Sequence, residues 1–172
     1  MAITGGDPVG CSFIGGTQRP LPVSSGRESF ERLVGTLEAL EATGDTSRES
    51  ELLDAGVGAI ARAARRGSAV VVLSDLLDLG DGAKDAISSI AMKGRVLVVL
   101  EVLDPDELDF PFEDSTRLAS LEGDYQVDTD GDARERYLEA LGAARDGWER
   151  ALLARGARLV RSKTTDDPVV VV

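Results

Sequence analysis

Histidine is absent from the 172 residues, and cysteine occurs once, as Cys11. These two absences exclude a disulfide within the chain, a zinc finger, a Ser-His-Asp triad and a Cys-His catalytic pair. Any metal ion here has to be a hard, oxygen-liganded one such as Mg²⁺ or Ca²⁺. Positive charge is also scarce: 19 Lys and Arg against 31 Asp and Glu leave a formal net charge of −12. Such a surface repels phosphate backbones and anionic headgroups, so neither nucleic acid nor a membrane is expected as a partner. No apolar run approaches the ~18 residues of a membrane span. The start, Met1-Ala2-Ile3-Thr4-Gly5-Gly6, lacks a basic segment followed by an apolar one, and the expected location is cytoplasmic. No Gly-Lys-Ser/Thr phosphate loop occurs, and Gly5-Gly6-Asp7-Pro8-Val9-Gly10 precedes a strand instead of joining a strand to a helix, the wrong setting for a dinucleotide fingerprint.

What is present is ordinary for one soluble domain spanning residues 1–172, with 42% hydrophobic and 29% charged residues. Residues 8–14 alternate Val9, Cys11 and Phe13, a strand with one buried face and a small buried thiol. After a loop with Pro20 and Pro22, Ser24 or Ser25 can cap a helix over 27–42 whose stripe is Phe30, Leu33, Val34, Leu37 and Leu40. A second helix carries Leu52, Leu53, Val57, Ile60 and Ala64, and ends with Arg62, Arg65 and Arg66 before Gly67. The Val-rich run 69–74 and its counterpart 96–103 read as strands buried on both faces of a parallel sheet, adjacent to each other. Between them lies a helix starting at Asp81, and 104–130 reads as an acidic connection. A long helix over 132–155 places Tyr137, Leu138, Leu141, Ala144, Trp148 and Leu152 inside, and 157–161 forms a last strand. Alternating strands and helices predict an α/β layered sheet.

In open parallel sheets, ligands bind beyond the carboxyl ends of the strands. There the sequence has Ser74-Asp75-Leu76-Leu77-Asp78 after one buried strand and Asp104-Pro105-Asp106-Glu107 after the next. Two readings stand side by side. Asp75, Asp78 and Asp104 either cap helices and close turns in water, or share an edge where a divalent cation relieves their repulsion. In the second case carboxylate-held Mg²⁺ orients water for phosphoryl hydrolysis. Against that chemistry, no Lys or Arg is near these aspartates in sequence, and nothing supplies a nucleophile-base pair.

The segment Leu103-Asp104-Pro105-Asp106-Glu107-Leu108-Asp109-Phe110-Pro111-Phe112 resembles a bacterial family with a von Willebrand factor A-like domain, domain-of-unknown-function family fifty-eight. Gly6-Asp7-Pro8-Val9-Gly10, Leu21-Pro22 with Ser25-Gly26-Arg27, Val71-Val72-Leu73-Ser74-Asp75, Arg117-Leu118 with Leu121-Glu122, and Tyr137-Leu138 fit the same family in order, over about residues 6–161. The resemblance implies a three-layer, doubly wound, mostly parallel sheet and a metal-ion-dependent adhesion site holding Mg²⁺ or Mn²⁺. Asp75 matches its third loop, and Thr46, or alternatively Thr43, its second. The first loop, Asp-x-Ser-x-Ser, has no counterpart, so the resemblance implies an N-terminally truncated domain, a weak metal site and a sheet lacking a central strand between residues 9–14 and 69–74. A fragmentary or split chain, a complementing partner strand, self-association through open edges, or direct pairing of the flanking strands would each answer that gap. The implied role is a non-enzymatic protein-interaction module whose partner is a MoxR-type AAA ATPase.

Overall fold

The structure, a computed structural model, describes residues 6–14, 19–40, 49–77, 79, 81–92, 94–112, 116–119 and 126–171. The chain forms two compact units, Met1–Ala64 and Arg65–Val172. Both are built from helices and strands, a mixed α/β composition.

In the first unit, β1 (Val9–Cys11) pairs antiparallel with β2 (Leu21–Ser24), Val9 opposite Ser24 and Cys11 opposite Leu21. The expected strand over 8–14 is therefore shorter, and the loop with Pro20 and Pro22 contains a strand. Pro22 is tolerated because a short outer strand has a side that needs no N–H donor. Gly10 is required by close approach: a Cβ there would lie 2.9 Å from Val23 Cγ2 and 3.1 Å from the Leu21 carbonyl. Helix α1 (Arg27–Glu38) starts from Gly26 at φ 91 with no side-chain cap, so neither Ser24 nor Ser25 performs that role. Its stripe is only partly covered: Phe30 and Leu37 are exposed, Leu33 and Val34 half-buried. Helix α2 (Glu49–Ala63) lies against residues 12–14, where Ser12 Oγ donates to the Gly56 carbonyl at 3.3 Å.

The second unit runs β3 (Ala69–Ser74), α3 (Asp81–Ser89), β4 (Val96–Leu103), α4 (Pro105–Asp109), β5 (Arg117–Ala119), β6 (Gln126–Asp128), α5 (Ala133–Leu153), β7 (Arg158–Lys163) and α6 (Pro168–Val171). Its sheet is parallel in the order β3-β4-β7, with Ala69 beside Val96 and Val98 beside Arg158. The two aliphatic runs are thus neighbours with their carboxyl ends on one edge, as their patterns predict. Val70, Val72, Leu97, Val99 and Leu103 are buried on one face, and Ile87, Ile90, Leu141, Trp148 and Leu152 complete the core.

Burial on both faces does not hold. Ala69, Val71, Leu73 and Val96 on the opposite face are exposed, and Val98 and Leu100 only half-buried. Helix α5 packs on β7 and α3 packs on α5, whereas β3 pairs only with β4 among the described residues. A continuous aliphatic run shows that both faces tolerate burial, not that both are covered.

The connection over 104–130 is also more structured than expected. It holds α4 and the antiparallel pair β5 and β6, with Thr129 Oγ1 donating to the Thr116 carbonyl at 3.1 Å. Phe110, left-handed at φ 43, ends α4 and is buried against Tyr137, with ring centroids 4.8 Å apart, and against Phe112 at 5.1 Å edge-on. The Leu-Asp-Phe-Pro-Phe run thereby anchors onto α5. No helix among the described residues is long and apolar enough to cross a membrane.

Candidate functional site

The carboxyl edge of the parallel sheet assembles side chains from the ends of all three strands. At the end of β3, Leu76 takes a left-handed backbone at φ 60 without glycine's freedom. Such a conformation costs about 1–3 kcal/mol. Burial of the Leu76 side chain offsets it, together with two hydrogen bonds: Leu76 N–H donates to Ser74 Oγ at 3.0 Å, and Trp148 Nε1–H donates to the Leu76 carbonyl at 3.2 Å. The sharp turn leaves Asp75 exposed, with Oδ1 accepting the Leu77 N–H at 3.1 Å and the Ser74 hydroxyl at 3.4 Å. This is an aspartate closing its own turn.

At the end of β4, Asp104 caps α4. Its Oδ1 accepts the Asp106 N–H at 3.0 Å, its own N–H donates to Glu107 Oε2 at 2.7 Å, and Pro105 occupies the first helical position. The other carboxylate oxygen accepts Thr164 Oγ1–H at 2.6 Å, from the end of β7, while Thr164 N–H donates to the Leu103 carbonyl at 3.1 Å. The Thr164 hydroxyl first, and the Asp106 N–H second, hold the Asp104 carboxyl below its ordinary value. Beyond them, Asp166 Oδ2 accepts Lys163 N–H at 2.8 Å and Ser162 Oγ–H at 3.2 Å.

Beneath this edge lies a charged group that sequence patterning passed over. Glu101 of β4 is 1% exposed and receives Arg145 of α5 in a fork, Nη2 at 2.8 Å and Nε at 3.0 Å from Oε2. Arg161 of β7 approaches the same oxygen at 3.3 Å and also meets Glu149 at 2.9 Å. The visible signal was one carboxylate interrupting Val-Leu-Val-Val-Leu-Glu-Val-Leu, since a buried charge in a strand demands a partner. The network braces sheet against helix and keeps Glu101 away from any ligand.

Of the residues proposed for metal binding, Asp75 and Asp104 therefore share the edge, while Thr46 and Asp78 lie outside the described residues. Among the described residues, no group of three or more Cys, Asp or Glu side chains is arranged to hold a metal ion. The carboxylates found are engaged by backbone N–H groups and hydroxyls, so the donor set does not by itself fit Mg²⁺ or Mn²⁺. Cys11 is half-buried in the first unit, and burial pushes its thiol up, away from reactivity.

Two solved structures resemble the chain. One is the conserved hypothetical protein BatB from Bacteroides thetaiotaomicron, with a TM-score of 0.54 and 18% identity over 93% of this chain and 73% of that one. The other is an aerotolerance-related membrane protein from Bacteroides fragilis NCTC 9343, carrying multiple mutations to serines, with a TM-score of 0.50 and 20% identity over 92% of this chain and 73% of that one. At such identities the likeness is one of fold. No curated protein matches the chain. A family model described as "Protein of unknown function DUF58" matches residues 1–147, most of the length, and the chain belongs to that family.

Proposed function

We propose that this chain is a non-enzymatic protein-interaction module of the von Willebrand factor A type, a three-layer, doubly wound domain that works in the cytoplasm with a MoxR-type AAA ATPase as partner. The observation that carries the reading is the carboxyl edge. Three parallel strands deliver Asp75, Asp104 and Thr164 to one side of the sheet, which is where open α/β sheets receive ligands. The polar groups there are tied into turns and caps, an arrangement that favours a fixed surface for docking over a reactive centre. Exposed Asp75 offers that surface an acceptor.

The test is a binding measurement between the purified chain and a purified MoxR-type ATPase, with Asp75→Ala and Asp104→Asn in parallel. Saturable binding weakened by either variant is the expected result. Absence of binding by the wild-type chain, or Mg²⁺-dependent phosphate release from a phosphoester by the chain alone, would overturn it.

A further inference from the structure

We infer that the amino edge of the β3-β4-β7 sheet is a peripheral binding surface for an anionic lipid bilayer. The sheet is charge-polarised along its strands. The segments that lead into the three strands read Arg65-Arg66-Gly67-Ser68, Met92-Lys93-Gly94-Arg95 and Arg155-Gly156-Ala157-Arg158, with basic residues in each and no acidic one. The segments that leave them read Asp75-Leu76-Leu77-Asp78, Asp104-Pro105-Asp106-Glu107 and Thr164-Thr165-Asp166-Asp167, with acidic residues in each and no basic one. Because the strands are parallel, the first set shares one edge and the second set the other.

Helices α3 and α5 end at the amino edge, and some positive charge there answers their dipoles. Arg155 is engaged in that way: it donates to the Asp85 carbonyl of α3 at 3.3 Å and pairs with the Asp85 carboxylate at 3.0 Å. Arg65, Arg66 and Arg158 are exposed, and their side chains meet no acceptor among the described residues. Arg66 is also fixed in place: a Cβ on Gly94 would lie 3.1 Å from both its Cγ and its Nε, so its stem rests on bare glycine backbone. A guanidinium held this way without an internal acceptor is preorganised for an external oxyanion. Beside these cations the same edge exposes Met92 at 56%, Val96 at 58% and Leu153, the last residue of α5, at 61%. Guanidinium groups for lipid phosphate and aliphatic tips for the acyl boundary are the two components of a peripheral membrane surface. An acidic protein segment would use the first and leave the second in water.

The net charge of −12 opposes a membrane only where the acid lies near the contact. Strands of six to eight residues, rising about 3.3 Å per residue, put the acidic edge about 20–26 Å from the basic one. That is at least two Debye lengths of about 8 Å at physiological ionic strength. The far carboxylates are screened, and what repulsion remains turns them away from the bilayer, so the edge that carries Asp75 stays open to a protein partner.

Co-sedimentation of the full chain with vesicles tests this, phosphatidylglycerol mixed with phosphatidylcholine against phosphatidylcholine alone, with circular dichroism confirming that each variant is folded. The wild type should bind the anionic vesicles, less tightly as salt rises, and not the neutral ones. Arg158→Glu and Lys163→Glu make the same change of charge at opposite ends of β7. Arg158→Glu should weaken binding by about tenfold or more, whereas Lys163→Glu should leave it unchanged. Arg66→Glu should act as Arg158→Glu does. Met92→Ser combined with Leu153→Ser should weaken binding and leave its salt dependence intact. A wild type that ignores anionic vesicles overturns the proposal, and binding of poly-glutamate in their place assigns the edge to an acidic protein. Equal losses from Arg158→Glu and Lys163→Glu, or no loss from the paired serine variant, overturn it as well.

Discussion

Thr164 Oγ1 donates to Asp104 Oδ2 across 2.6 Å, so the residue that follows β7 holds the aspartate that starts α4. Because this bond and the Asp106 N–H favour the carboxylate, the folded-state value of Asp104 lies below the ordinary 3.8. The linked stability is fully present above that ordinary value and is lost as pH falls through the depressed one. Thr164→Val should move the Asp104 titration back up toward 3.8, followed by carboxyl NMR, and narrow the acid range over which α4 stays capped. An unchanged Asp104 titration would contradict the role of Thr164.

Glu101 forms the second testable contact. Removing one member of a buried ion pair strands its partners, and Glu101→Ala should destabilise the fold by about 3–5 kcal/mol. Glu101→Leu combined with Arg145→Leu should recover more than half of that loss, because both the buried charge and its main partner are then gone. Chemical denaturation of the single and double variants measures the difference.

The hydrogen bond from Trp148 to Leu76 fixes the turn that carries Asp75. Trp148→Phe leaves the buried carbonyl of Leu76 without this donor and should lower stability by about 1–3 kcal/mol, beyond which the smaller ring adds a packing loss. Backbone NMR shifts at 75–77 should move while those of α4 stay in place.

Mg²⁺ and Mn²⁺ should bind no tighter than about millimolar, since a good hard-cation site wants about six oxygens in fixed positions and Asp75 brings one carboxylate already engaged by Leu77 and Ser74. Calorimetry reads this directly. Micromolar affinity abolished by Asp75→Ala would show that other residues complete the site.

The parallel pairing of β3 with β4 was legible because each is a mainly aliphatic run of strand length, interrupted in β4 by Glu101 alone, with helical sequence between. Helix α5 was legible from its stripe, of which Leu141, Trp148 and Leu152 are buried. What covers each face of a sheet is a property of the whole assembly, so the exposure of Val71 and Leu73 left no local mark. Strand β2 was hidden by Pro20 and Pro22, which punctuate loops more often than strands. Helix α4 could have been found from Asp104, Pro105 and Glu107, a capping box with proline at the first turn, but five residues give no hydrophobic period. At the site, Asp75 and Asp104 came from their position after strands, whereas Thr164 follows a strand with no signal of its own. Glu101 needed only the question of where its charge goes.

Trp148 is the sole tryptophan of the chain, 1% exposed, and its indole N–H ends on the carbonyl next to Asp75. Indole emission depends on the polarity and hydrogen bonding around the ring, so the protein carries its own optical gauge one residue from the carboxyl edge. A partner that seats on Asp75 and shifts this turn will change the colour or intensity of that single emitter, and docking can be followed with no label attached.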